Sequence, residues 1–315
     1  MNFVDVEHAT LLEASPKQGA GAANSEALGD ILICPVTGEK LEFRPSPSGG
    51  MLTTPSGSQS YVRDNGSWDL MPDPMPKTLA AKAETWRTLQ ANGAFVYEAD
   101  PRQNLTTDRM FAEELQRIMR LSGRVLDIGC GPQKEKPAYL SHVDDDKLVG
   151  IDPLPGNSTR DFTFIKGIAE TLPFRDRAFE HVVFCRTLDH MLDFRAALQS
   201  AMRVIGPGGT VQVLMDDTSK GGSSSEGGAS RLLHIVRRGA AQIGCAIRHQ
   251  GLRHALGYAW KASRLQMPEG AMDFFHAYFP ERDEVVRELR EAGAGDVDVL
   301  ELGPELLITA RRCDA

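Results

Sequence analysis

The sequence predicts an α/β fold, a doubly wound and mostly parallel sheet, on three observations. Five short apolar runs, at 124–128, 147–152, 162–166, 181–185 and 210–215, read as buried strands. Helix-compatible stretches separate most of them, and that rhythm places the strands in one sheet covered on both faces. Near the end, 282–292 reads as a helix stopped by Gly293. Closing strands at 296–300 and 306–311 bring the sheet to about seven strands.

Around this sheet the chain divides into further pieces. Residues 1–29 are small and polar and read as a leader. From Asp30 short runs alternate like strands, at 41–43, 51–54 and 60–63, with turns between them. Pro72, Pro74 and Pro76 then make a stiff extended linker. Residues 30–76 are thus a small β module with its linker, and 77–315 the main domain. Within 77–120, Phe111, Leu115, Ile118 and Met119 recur at helical spacing. Residues 218–230 are rich in Gly and Ser. After them Leu232, Val236, Ala240, Ile243 and Ile247 trace an amphipathic helix, with a second helical stretch at 252–265. The whole of 218–278 reads as a helical lid inserted over the carboxyl edge of the sheet.

Composition narrows the function classes. Of 315 residues, 41% are hydrophobic and 25% charged, which excludes disorder over the whole length. The net charge of −8 argues against DNA or any partner that needs a generally basic surface. That charge is uneven: Arg231, Arg237, Arg238, Arg248, Arg253, Lys261 and Arg264 lie in a stretch without acids, so the rest of the chain carries −15. Such a stretch can hold a phosphate, lie on an anionic membrane surface, or be a solvated helix face. No apolar run is long enough to span a membrane, and Met1 to Ala20 lacks signal-peptide character, so a cytoplasmic location is expected. The five cysteines form no Cys-x-x-Cys pair, and so indicate neither a zinc knuckle nor a disulfide framework.

The residues that can carry chemistry follow the strands. The first strand ends in Asp127-Ile128-Gly129-Cys130-Gly131, where glycines let the backbone approach a ligand and a helix is expected to begin. A dinucleotide loop would need a further glycine at position 134, which is Lys134. The second strand ends in Asp152, 25 residues after Asp127, where a carboxylate can accept bonds from ribose hydroxyls. Gly167-Ile168-Ala169-Glu170-Thr171-Leu172-Pro173-Phe174 follows the third strand. Cys185-Arg186 ends the fourth, with Thr187-Leu188-Asp189-His190 after it. A Gly206-Pro207-Gly208-Gly209 turn leads into the fifth.

This ordered set resembles the class I S-adenosylmethionine-dependent methyltransferases, closely over 121–216 and loosely over 280–315. The resemblance implies their seven-stranded Rossmann-like sheet and S-adenosyl-L-methionine as cofactor. It also implies roles for individual positions. Gly129, Cys130 and Gly131 would line the methionine part, with Asp127 near its amino group. Asp152 would hold the ribose, and Pro153 and Leu154 would lie beside the adenine, with Ala169 and Glu170 on its other edge. Cys185 and Arg186 would reach the methionine end. Two positions depart from the family, which often has glycine at Gln133 and aspartate at Ile168. Apart from the resemblance, Asp127 can be a helix cap, Asp152 a surface acid and the two cysteines plain packing residues.

His190 is the first catalytic candidate, because methyl transfer to a hydroxyl needs a base that is neutral near pH 7. Asp189 can orient it. His276, in Asp273-Phe274-Phe275-His276, is the second. Packing against a neighbouring element is the alternative for each, and more so for His276. The stretch 32–38 with 61–66 resembles the small activator domain of tRNA methyltransferases in a zinc-less form, since only Cys34 of its Cys-x-x-Cys pairs is present.

The expected activity is O-methylation of a small molecule or sugar, with an anionic, phosphate-linked carrier compatible with the basic lid. Peripheral membrane contact and a homodimer are both compatible with the chain. A non-catalytic S-adenosylmethionine-binding protein and an RNA-modifying methyltransferase remain as rival classes.

Overall fold

The computed structural model describes residues 28–45, 50–64, 67–99, 109–154, 160–218 and 265–313. Residues 1–27 of the expected leader and 219–264 of the expected lid lie outside them; within the described residues Leu28 is buried in the core, not part of a leader, and 265–278 form turns instead of a helix. Chain order gives β1 (Glu42–Arg44), β2 (Met51–Thr53), β3 (Ser60–Asp64) and β4 (Ser67–Asp69). Three helices follow, α1 (Lys77–Ala80), α2 (Ala83–Ala99) and α3 (Arg109–Met119). Then come β5 (Val125–Ile128), β6 (Leu148–Asp152), β7 (Thr163–Lys166), β8 (Phe179–Cys185), α4 (Phe194–Val204) and β9 (Ile205–Asp216). The chain closes with α5 (Arg282–Glu291), β10 (Ala294–Leu302) and β11 (Glu305–Arg312).

Among the described residues these strands form one sheet in the order β1-β2-β3-β4-β7-β6-β5-β8-β9-β11-β10. The seven strands from β7 to β10 are the expected α/β sheet. β7, β6, β5, β8 and β9 run parallel, while β11 returns antiparallel between β9 and β10. Every residue of β5 and β6 is buried, as central parallel strands require. Alternate residues feed opposite faces. Leu126, Ile128, Val182 and Phe184 pack with Ala197, Leu198 and Ala201 of α4 and Val285 and Leu289 of α5. Val125, Leu148 and Val183 pack on the other face with Leu115 and Met119 of α3 and with Tyr139 and Leu140.

The sheet is longer than seven strands because the N-terminal strands join it. β4 pairs in parallel with β7, Trp68 opposite Ile165 and Asp69 opposite Lys166. A 2.6 Å ion pair from Lys166 Nζ to Asp69 Oδ2 sits on that seam. Leu32, Leu41, Tyr61 and Trp68 share the core of the main sheet. Cys34 stands in a turn whose Val36 and Thr37 N–H groups point at its sulfur, 3.4 and 3.3 Å away, with the Tyr61 hydroxyl at 3.1 Å.

One sequence expectation is corrected. The glycine turn after β5 does not open a helix. Between β5 and β6 there is a single 3-10 turn at Ala138–Leu140. Pro132 and Pro137 lack the N–H groups that a helix through this stretch would use. The Gln133 side chain instead donates to the Cys130 carbonyl, closing the loop on itself. Helical coverage between β7 and β8 is likewise one short turn, Ala169–Thr171.

Candidate active site

The carboxyl ends of β5, β6 and β8 meet where the strand order reverses, the usual ligand position in an open α/β sheet. A cavity of about 330 Å³ lies there, between those strand ends, α2 and the segment 275–280. That is room for a cofactor-sized ligand.

The β5 side of the wall is built by glycine geometry. Gly129 has φ +74°, and a Cβ there would stand 2.7 Å from Cβ and Cγ2 of Thr187. Only glycine fits both the conformation and the contact. Thr187 is itself held by donating its hydroxyl to the Ile128 carbonyl at 3.0 Å. Gly131 also has a left-handed φ, and its N–H donates to Asp152 Oδ2 at 2.8 Å. Asp152 Oδ1 accepts the Leu154 N–H at 2.7 Å. Asp152 thus ties the two loops together while each oxygen keeps a further lone pair. Burial pushes its pKa up to about 6, against the hydrogen bonds that lower it.

Asp127 is buried behind this loop. Tyr139 donates its hydroxyl to Oδ1 at 2.9 Å, while Oδ2 is buried without a partner. Burial raises its pKa to about 7, and the Asp152 charge adds to that rise. Glu170 accepts the Asp193 N–H at 2.9 Å, and Asp193 in turn caps α4 through the N–H groups of Arg195 and Ala196. Burial also raises the Glu170 pKa. Arg186, at φ +54°, makes a bidentate pair with the buried Glu305 at the start of β11.

Two histidines complete the opposite wall. The His190 and His276 rings stack 4.5 Å apart at 29°. His276 Nδ1 lies 2.8 and 2.9 Å from the two oxygens of Asp273, and Nε2 is 3.4 Å from Asp189 Oδ2. Asp273 also receives the N–H groups of Phe275 and His276. Burial pushes the Asp273 pKa up, but these bonds outweigh it and hold it below the usual value. His190 Nδ1 is 3.3 Å from the Phe275 carbonyl, and burial lowers its pKa against the pull of Asp189. α2 secures the arrangement. Trp86 and Gln90 both donate to the His190 carbonyl at 3.1 Å, and Asn92 donates to the carbonyls of Gln266 and Phe274 at 2.8 and 2.6 Å.

The predicted site residues fall into two groups. Gly129, Asp152, Pro153, Leu154, Ala169, Glu170, Arg186, His190 and His276 all line the cavity. Asp127, Cys130, Gly131 and Cys185 do not. Cys130 packs under Gly150, and burial pushes the Cys185 thiol up to about 12. Asp189 does not orient His190 as sequence adjacency suggests; it faces His276. Asp273, Thr187, Tyr139, Trp86 and Asn92 carry no role in the sequence reading. Of these only Asp273 had a visible signal, its i,i+3 spacing to His276.

Residues 126–213 match the methyltransferase domain family. Over those residues the chain is similar to a methyltransferase domain. An uncharacterized methyltransferase of Schizosaccharomyces pombe is 28% identical over 138 residues, 38% of this chain and 49% of that protein. A demethylmenaquinone methyltransferase of Roseiflexus castenholzii is 33% identical over 100 residues, 29% of this chain and 42% of that protein. The chain thus spans about half the length of the curated relatives it matches. An S-adenosylmethionine-dependent methyltransferase of Thermotoga maritima superposes with a TM-score of 0.45 at 18% identity, covering 72% of this chain and 99% of that one.

S-adenosyl-L-methionine is the cofactor that the methyltransferase domain implies. The residues present fit it on two observations. Gly129 lines the cavity in a left-handed conformation with no side chain to stand before a ligand, and Asp152 lines it with a lone pair left on each oxygen. No helix among the described residues is long and apolar enough to cross a membrane.

Proposed function

We propose that this chain transfers a methyl group from S-adenosyl-L-methionine to a hydroxyl oxygen of a small molecule, with a sugar or phosphate-linked carrier as the favoured class. One observation carries the reading: His190 and His276, the latter held from behind by Asp273, line the same cavity as Gly129, Asp152 and Glu170. When bound, the cofactor supplies an electrophilic methyl carbon.

The chain's own residues do the rest. The left-handed Gly129 lets the backbone approach the methionine part closely. Asp152 accepts from the ribose hydroxyls with its remaining lone pairs. Pro153 and Leu154 on one side and Ala169 and Glu170 on the other, all lining the cavity, would flank the adenine. Arg186, neutralised by Glu305, shapes the methionine end without leaving a free positive charge beside a sulfonium. With its Nδ1 proton on Asp273, His276 offers Nε2, 3.4 Å from Asp189, as the acceptor atom. A hydroxyl placed there gives its proton to Nε2 as its oxygen attacks.

The test is transfer of a labelled methyl group from the cofactor to a panel of free sugars, phosphate-linked sugars and demethylmenaquinone, the last because a relative's name points to it. The expected result is label in a methyl ether of a hydroxyl acceptor. Label on carbon, or none on any hydroxyl, contradicts the proposal.

A further inference from the structure

Three electron-pair donors converge at one point of the cavity wall. One carboxylate oxygen of Asp189 and one ring nitrogen each of His190 and His276 lie within 4.8 Å of one another. They come from two separate segments, the 3-10 turn Leu188–His190 after β8 and the loop before α5. With Asp273 holding the Nδ1 proton, the Nε2 lone pair of His276 faces the Asp189 carboxylate at 3.4 Å. That pairing is attractive when a positive charge sits between the two groups, supplied by a second proton on the ring or by a bound cation.

The groups behind these donors match what a metal site needs. Ligating histidines pin their second nitrogen on a carboxylate or a backbone carbonyl, which fixes the tautomer and raises the basicity of the first. Both forms occur here. His276 Nδ1 is pinned by Asp273 at 2.8 Å, and His190 Nδ1 by the Phe275 carbonyl at 3.3 Å. Each histidine is left with Nε2 as a ligand atom. The set is two imidazoles and one carboxylate, a combination suited to Zn²⁺ and neighbouring divalent transition metals.

We propose that Asp189, His190 and His276 bind one divalent transition-metal cation of the Zn²⁺ type, with the remaining coordination positions open to the cavity. Binding of the cation stands independently of the methyl-transfer reading. Its use rests on that reading: an acceptor hydroxyl coordinated there loses its proton to water more readily, and the oxygen is then placed toward the methyl-bearing end of the cavity. In the loaded enzyme His276 is a ligand, and without the cation it is the base. The favoured acceptor is therefore one that can chelate, a molecule with adjacent oxygen atoms.

The experiment uses tag-free full-length protein stripped with a chelator, titrated with Zn²⁺ by calorimetry and with Co²⁺ by absorption spectroscopy. One cation per chain is expected. A Co²⁺ spectrum without thiolate charge-transfer bands would show nitrogen and oxygen ligands. His276→Ala and Asp189→Asn should each weaken binding by about 100-fold or more, and Asp273→Asn, which acts only through His276, by about 10- to 100-fold. Circular dichroism on each variant separates loss of ligand from loss of fold. For a variant that unfolds, the wild-type Co²⁺ spectrum alone decides. No cation bound by wild type, thiolate bands, or equal affinity in folded His276→Ala each overturns the proposal. Cofactor affinity measured on the stripped protein reports on the methyl-transfer reading separately, since a cation can bind where no cofactor does.

Discussion

Replacing Asp127 with asparagine reads the electrostatic strain under the glycine loop. Asp127 is 1% exposed, and one of its oxygens has no partner, so its ionised form is costly. Its pKa of about 7 in the folded chain lies above the ordinary 3.8. The folded chain therefore binds more protons than the unfolded chain between those values, and stability falls as pH rises through that window. At about 1.4 kcal/mol per pKa unit, the penalty grows from about 2 kcal/mol at pH 5 to about 4 kcal/mol at pH 8. Asparagine keeps an acceptor for Tyr139 and cannot ionise. The stability difference between Asp127→Asn and wild type should shift in the variant's favour by about 2 kcal/mol from pH 5 to pH 8. Urea denaturation of both proteins at both pH values, without cofactor, measures it. A difference that is the same at both pH values, or that shifts the other way, would falsify the reasoning.

Other substitutions probe other joints of the site. Gly129→Ala places a Cβ 2.7 Å from Thr187 at a left-handed φ, and should cost about 2–4 kcal/mol in a denaturant titration; a loss below about 1 kcal/mol would count against that contact. Asn92→Ala leaves the carbonyls of Gln266 and Phe274 unpaired, and hydrogen exchange should rise across 265–280 while β5 and β6 stay protected. Exchange that rises equally in the sheet would mean that Asn92 supports the whole fold. His276→Ala should lower turnover of the identified acceptor by about 100-fold or more and leave cofactor affinity within about threefold. Unchanged turnover there removes His276 from proton transfer.

The parts of the molecule legible in the sequence are those where one physical signal dominates. β5 to β9 are short apolar runs that burial alone selects, and all five formed within a few residues of the expected places. The glycine turn, Asp152 and the 167–170 stretch were legible because ligand approach and strand ends restrict residue choice. The missing helix after β5 was not, although Pro132 and Pro137 were there to read; the strand–turn–helix habit outweighed them. The docking of β4 on β7 depends on which edge of the sheet is free, and no local pattern encodes that. Trp86, Gln90 and Asn92 sit in a helix whose polar contacts reach 100 to 182 residues along the chain, so nothing local marks them as supports of His190 and the 265–280 segment. Asp189 shows the limit of adjacency: the ring nitrogen it approaches at 3.4 Å belongs to His276, on another segment.

The most direct test of the central claim is isothermal titration of S-adenosyl-L-methionine into the full chain, beside the Asp152→Ala variant. Asp152 is the one carboxylate that both lines the cavity and ties its two loops together. Saturable binding by wild type, weakened about 10-fold or more in a folded variant, is the predicted result. No binding at millimolar cofactor, or equal affinity in the two proteins, would contradict it.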